Sequence, residues 1–176
     1  MDSIKNVITS QQEVIEKYES EYRKQNLIIN GVPEVELVAK DGTRLKDVVE
    51  KVNHLCEAIS DDFDEDDIES CFRLGKVDKH RNRPIKVKFK SVDTRNTILY
   101  TQKQLRDNEE LVSLFGRVYV HKDVSPLMQK EEKRLREVLK AERSKAPSNT
   151  NLRLRSGKLY KDNTVIDKIN LENQLF

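Results

Sequence analysis

The chain lacks tryptophan, and its aromatic residues make up only 6% of 176 positions. So few large rings argue for a modest core, in small domains with extended helix rather than one large globule. Only two cysteines occur, Cys56 and Cys71, without metal-ligand spacing, which fits a reduced setting with unpaired thiols. The three histidines, His54, His80 and His121, are scattered and form no His/Cys constellation. The five glycines include no Gly-rich phosphate loop. No run approaches the roughly 18 apolar residues of a membrane span, and the opening MDSIKNVITS has no apolar signal core. On this inventory the expectation is a soluble cytoplasmic or nuclear protein that is not an enzyme, with no cofactor, no metal and no membrane contact.

What the chain has is charge. Asp, Glu, Lys and Arg make up 36% of it, and the net charge of +2 conceals a segregation. The run SDDFDEDD at 60–67 carries six acids and no base, whereas Arg73 to Lys90 carries eight Lys/Arg against the single acid Asp78. Such asymmetry gives a directional field. A metal-dependent hydrolase built on Asp61, Asp62, Asp64, Glu65, Asp66 and Asp67 is the most distant reading. Acids clustered in one loop are usually solvated, and two-metal sites draw carboxylates from different elements.

The organising stretch is RNRPIKVKF at 81–89. From Pro84 it alternates: Ile85, Val87 and Phe89 point one way, Lys86, Lys88 and Lys90 the other. Period two marks a half-buried strand whose outer face carries three lysines about 7 Å apart. Nothing local in the sequence neutralises them, so either a polyanion lies across this face or the lysines keep a sheet soluble and unpaired.

Around this strand the elements follow a regular order. NLIIN at 26–30 is a β-branched strand ended by Gly31 and Pro33. A loop with Thr43 as candidate cap leads into an amphipathic helix from Leu45 to Ile59, with Cys56 as a small buried hydrophobe and His54 on the surface. Ile68 to Leu74 is a strand with Phe72 and Arg73 on opposite faces. Val92 to Leu105 is a second helix anchored by Ile98 and Leu99, and Arg117 to His121 a fourth strand with Val118 and Val120 inward. Strand, helix, strand, strand, helix, strand is the split βαβ order of ferredoxin-like domains. Its physics is a four-stranded antiparallel sheet with one face free, the face on which RNA-recognition-motif domains bind single strands. Ile28, Asn30, Lys86, Lys88, Arg117, Tyr119 and His121 are expected there. The two central stacking positions hold Ile28 and Lys86, leaving Tyr119 as the one ring assigned to the sheet. This predicts phosphate contact with little base selectivity.

The flanking segments read as separate modules. From Met1 to about Lys24, Ile8, Ile15 and Tyr22 fall on one heptad position and Ile4, Gln11 and Tyr18 on another, a seam of about three heptads. The alternative is an amphipathic helix packed on its own domain. After His121, Ser125 caps a helix that begins at Pro126, carries Met128, Leu135, Val138 and Leu139 as its apolar stripe, and runs to Lys145. APSNT at 146–150 is a linker. Asn151 to Lys161 then alternates with four bases and no acid. Leu152 and Leu154 take one face, Arg153 and Arg155 the other, with a turn at Ser156-Gly157. A hairpin is not stable alone, so it is expected to pack on the Ser125 to Lys145 helix.

Several segments together carry a resemblance: RKQNLIINGVPE at 23–34, CFRLGK at 71–76, RPIKVKF at 83–89 and VYVHKDVS at 118–125. With the heptad segment before them and the basic hairpin after, the chain resembles the first-open-reading-frame proteins of LINE-type (non-LTR) retrotransposons, also called transposase-22-like, over about Glu13 to Ile166. The resemblance implies a homotrimeric coiled coil, a non-standard RNA-recognition motif, and a C-terminal domain that grips RNA together with it. It also implies a nucleic acid chaperone that coats its own transcript in ribonucleoprotein particles, without catalysis.

The expected architecture is therefore α+β in three parts: a coiled-coil helix at 1–24, a βαββαβ RNA-recognition-motif-like domain at 25–123, and a helix with a basic hairpin at 124–176. The expected nucleic-acid contacts are Arg73, Lys86, Lys88, Lys103, Arg106, Tyr119, Arg153, Arg155, Lys158 and Tyr160. The expected self-association seam is Ile4, Ile8, Gln11, Ile15, Tyr18 and Tyr22. The partner is single-stranded RNA, with DNA as the other candidate. The competing reading is a coiled-coil adaptor that binds proteins and uses its lysines only for solvation.

Overall fold

The computed structural model describes residues 2–78, 80–147, 150–155 and 157–168. It is a mixed α+β structure with two compact units, a central one, Arg23–Asp123, and a terminal one, Met1–Tyr22 with Val124–Phe176. The N-terminal helix α1 (Asp2–Arg23) is thus grouped with the C-terminal segment instead of standing alone.

In the central unit, β1 (Asn26–Asn30) ends where the β-branched run meets Gly31. That glycine has a φ of 94°, and a Cβ there would lie 2.1 Å from the Arg117 carbonyl oxygen. No other residue fits the turn without backbone movement. The expected loop at 35–44 contains a small hairpin, β2 (Leu37–Val38) and β3 (Arg44–Leu45). Consequently α2 (Val48–Glu57) starts later than expected. Its cap is Asp47, which accepts from the Val49 and Glu50 amides while Glu50 returns to the Asp47 amide, a reciprocal box that Thr43 lacks the partners to form. The acidic run folds into a 3-10 turn at Glu65–Asp67, capped by Asp64, ahead of β4 (Ile68–Arg73).

The lysine strand is β5 (Ile85–Phe89), with Ile85, Val87 and Phe89 buried as the alternation predicts. The single helix expected over 92–105 is α3 (Val92–Thr101) followed by a short α4 (Gln104–Asp107). A further helix, α5 (Glu109–Phe115), escaped the sequence reading. Asn108 caps it by accepting from the Glu110 and Leu111 amides, and it delivers Leu111 and Phe115 to the core. His54, expected at the surface, is half-buried with its ring 6.1 Å from that of Phe115. After α5 comes β6 (Tyr119–Lys122). The sheet order is β4-β5-β1-β6 and every neighbouring pair is antiparallel. Leu27, Ile29, Val87, Phe89 and Val120 from the sheet meet Val52, Leu55, Cys56, Ile98 and Leu99 from the helices in one core.

One phase differs from expectation. β4 has a register shift between Ile68 and Ser70. A bulge inserts one residue and reverses which side chains face the core. Cys71 and Arg73 therefore pair with the inward Val87 and Ile85, while Phe72 pairs with the outward Lys86. Phe72 and Arg73 take opposite faces as expected, but Phe72 is the outward one, which removes Arg73, an expected nucleic-acid contact, from the outer face.

In the terminal unit, α6 (Pro126–Lys145) begins as expected, with the Ser125 hydroxyl accepting from the Met128 amide. The same hydroxyl donates to Glu16 of α1 at 2.7 Å. The expected hairpin is the first pair of a three-stranded antiparallel sheet, β7 (Leu152–Arg155), β8 (Lys158–Lys161) and β9 (Thr164–Lys168). The last strand was missed. Its turn is Asp162-Asn163, at φ of 46° and 71°, a left-handed pair suited to a two-residue hairpin. Leu135, Leu152 and Leu159 are buried and β7 and β8 pack on α6, whereas Met128, Val138 and Leu139 are only half-buried. Glu131, fully buried, pairs with Arg134, which also holds Asp167 of β9 at 2.8 Å. Ser156 of the expected turn, and Ser148 and Asn149 of the expected linker, lie outside the described residues.

Candidate nucleic-acid interface

The ten residues expected at the interface fall into three situations, set by which acceptors the fold brings to them.

Arg73 is structural. Its side chain is 8% exposed. The guanidinium donates to the carbonyls of Val32, Pro33 and Arg83 at 2.6–3.0 Å and pairs with Glu34 at 3.2 Å. Lys51 does the same work from α2: 1% exposed, its ammonium donates to the carbonyls of Pro33, Glu34 and Val35. Burial pushes both groups below their ordinary pKa values. Arg83 closes the cluster with a two-pronged bond to Glu34, at 3.0 and 3.1 Å. The hydrogen bond from the Arg83 side chain is the main reason the Glu34 carboxyl is lowered to about 2, against burial that would raise it. Three cations thus clamp the turn at 31–35 onto the sheet edge. Sequence reasoning missed Lys51, whose partners are backbone carbonyls that carry no sequence signal, and Glu34, whose arginine partners lie 39 and 49 residues away.

Lys86 and Lys88 do lie on the outer face, and although nothing local in the sequence neutralises them, acids brought in by the fold do. Lys86 pairs with Asp123 at 2.9 Å and Lys88 with Glu69 at 2.7 Å. Asp123 also takes Arg23 at 2.9 Å and the Asn26 amide at 3.0 Å. Burial pushes the Asp123 carboxyl up, but bonds from Lys86 and Asn26 with the charges of Lys86 and Arg23 outweigh it and leave it low. Lys103 and Arg106 are exposed at the start and last turn of α4, and Arg106 stacks over the Tyr119 ring, 5.6 Å from its centroid. Tyr119 stands opposite Asn30, which contacts His121 at 2.6 Å.

The third situation is the terminal sheet. Arg153 is directly opposite Tyr160, and Arg155 directly opposite Lys158. Opposed residues in an antiparallel pair share a face, so all four expected residues stand together. The Arg153 guanidinium lies 5.4 Å from the Tyr160 ring centroid and donates to Asn163 at 2.7 Å. Arg155 and Lys158 are exposed and neither has an ion pair among the described residues. Lys168 of β9, which the sequence reading did not reach, stands opposite Lys158 and adds a cation to this face. Like charges directly opposed destabilise a sheet. Their concentration here suits a bound polyanion.

No protein-family model matches the chain, and no curated protein matches it.

No group of three or more His, Cys, Asp or Glu side chains able to hold a metal ion occurs among the described residues. Nor is any helix among them long and apolar enough to cross a membrane. Burial and the neighbouring Cys71 raise the Cys56 thiol, and burial raises Cys71 to about 12, so neither is a thiolate at neutral pH.

The proposed seam residues lie on α1. Ile4, Ile8, Gln11, Ile15, Tyr18 and Tyr22 are all exposed, Ile4 at 67% and Tyr18 at 73%. The covered side of α1 is polar, formed by Thr9, Gln12, Glu16 and Glu19. A lone surface helix normally does the opposite.

Proposed function

We infer that the chain binds single-stranded nucleic acid, RNA ahead of DNA, as a chaperone of retrotransposon origin that packages RNA with little sequence preference. The observation that carries this is the face of Arg153, Arg155, Lys158 and Tyr160: basic and ring-bearing, with Arg155 and Lys158 free of ion pairs among the described residues. Arginine and a ring on one strand pair match what a single strand offers, phosphates for the cations and a base face for the tyrosine. The exposed Lys103, Arg106 and Tyr119 group supports a second contact area. The strand order β4-β5-β1-β6 supports an RNA-recognition-motif-like central domain of the ferredoxin-like kind. The inverted amphipathicity of α1 supports self-association through a coiled coil, a homotrimer on the family resemblance.

The test is single-stranded RNA binding by the full chain across a salt series. Log affinity falls linearly with log salt, with a slope of about 0.7 per phosphate contact. Absence of binding even at low salt overturns the reading. It would leave the second one, a protein-interaction adaptor, which the exposed apolar stripe of α1 favours independently.

A further inference from the structure

Phe72 is 46% exposed on β4, an edge strand of the central sheet. Without the irregularity between Ile68 and Ser70, period two would carry Phe72 to the same side as the inward Ile68. The bulge instead turns the ring out and Arg73 in. Among the described residues no cation or second ring stacks on it, and its cross-strand neighbour Lys86 is engaged by Asp123. An exposed, unstacked phenylalanine produced by a specific backbone device points to an external partner for its face.

The surroundings define that partner's charge. Phe72 lines a cavity of about 380 Å³ together with Lys46, Lys51, Arg73, Arg83 and Glu34. Four basic side chains face one carboxylate. Lys51 and Arg73 are committed to carbonyls, and Arg83 to Glu34, so they supply field and rigidity. Lys46 is exposed and its ammonium has no ion pair among the described residues, which makes it the available donor. A flat apolar surface beside a free ammonium, in a positive field, matches one nucleotide: a base for the ring and a phosphate for the lysine.

We propose that Phe72 and Lys46 form a single-nucleotide site at the β4 edge, with the base stacked on Phe72 and its phosphate on Lys46. This rests on the nucleic-acid-binding reading above and adds to it a base-stacking position that the central strands of the sheet lack. Bases with larger faces stack more strongly, so the site favours purines without reading sequence.

The chain has no tryptophan, so Phe72→Trp introduces a sole indole as a reporter on an exposed strand. The full-length variant is titrated with an end-labelled oligoadenylate and with an abasic strand of equal length, recording label anisotropy and indole emission together. The expected result is indole quenching along the anisotropy curve for oligoadenylate and none for the abasic strand. In parallel, Phe72→Ala weakens oligoadenylate binding about tenfold, leaves the abasic strand unaffected, and Lys46→Ala lowers the salt slope by about 0.7. Anisotropy that rises while the indole is silent and Phe72→Ala binds normally overturns the site and leaves the nucleic-acid reading standing. No anisotropy change with either strand removes both. Quenching by polyglutamate but not by oligoadenylate also overturns the proposal, because the cavity then takes acidic peptides.

Discussion

On β5, Lys86 and Lys88 alternate with buried apolar residues; on β7, Arg153 and Arg155 alternate with Leu152 and Leu154 in the same way. The two strands carry one pattern and reach opposite electrostatic states. Each β5 lysine has a carboxylate within 3 Å, from Glu69 on the neighbouring strand and from Asp123 beyond β6. On the β7 face, Arg155 is met instead by another cation, Lys158. Alternation therefore fixes where a side chain points and says nothing about its charge balance. That balance depends on acids brought in from elsewhere in the chain. A basic strand whose charges are answered internally serves the fold; one whose charges oppose each other invites a ligand.

The largest test of this contrast is Arg153→Ala with Arg155→Ala. Affinity for single-stranded RNA falls about 30-fold or more at low salt, and the salt slope drops by about 1.4, two phosphate contacts at about 0.7 each. Thermal stability changes by no more than about 1 kcal/mol, because losing the Arg153 stack on Tyr160 and its bond to Asn163 is offset by relief of the Arg155–Lys158 repulsion. A variant that binds normally would place the contact elsewhere and erase the distinction between the two strands.

Asp123→Asn inverts the experiment on the other strand. The amide can still take the Asn26 bond but no longer answers Lys86 and Arg23. Denaturant unfolding shows a loss of about 1–2 kcal/mol. RNA affinity rises a few-fold, with a slope steeper by about 0.7, since Lys86 becomes available. If affinity is unchanged, Lys86 is out of reach of the strand and belongs to the fold alone.

The Glu34 clamp makes the central unit acid-sensitive in a defined window. Its carboxyl lies at about 2 in the folded chain against an ordinary 4.5. A lowered pKa means the unfolded chain takes up the proton first, so the stabilisation is complete above about pH 4.5 and lost as the pH falls through 2. Unfolding curves of the chain and of Glu34→Gln should differ at pH 6 and converge towards pH 2. A constant difference would show that Glu34 acts by shape and not by charge.

These contrasts also show what the sequence could and could not disclose. The strands from Asn26, Ile85 and Leu152, and the helix start at Ser125-Pro126, were legible because each carries a local signal: β-branched runs, period two, or a cap followed by proline. Arg153 and Arg155 share a face as the alternation predicts, and the hairpin register adds Tyr160 and Lys158 opposite them. What failed was non-local. The β4 bulge reversed Phe72 and Arg73, and no residue type announces a bulge. Glu69 and Asp123 reach the lysines only through sheet order. Strand β9 hid behind Asp162-Asn163, a turn without glycine. Helix α5, only seven residues long and directly after the short α4, is too brief for its period to show.

The smallest expected effect separates the two meanings of a basic face most cleanly. Arg155 and Lys158 are opposed in register, so each raises the energy of the other. Arg155→Glu turns that repulsion into attraction, worth about 0.2–1 kcal/mol in a cross-strand pair. The unfolding midpoint therefore rises slightly while RNA binding weakens. A stability gain traded against binding is what a ligand face predicts, because the native arrangement is suboptimal until a polyanion occupies it. If the variant instead loses stability, Arg155 makes contacts the fold needs, and the repulsion argument gives way to ordinary packing of its aliphatic stem.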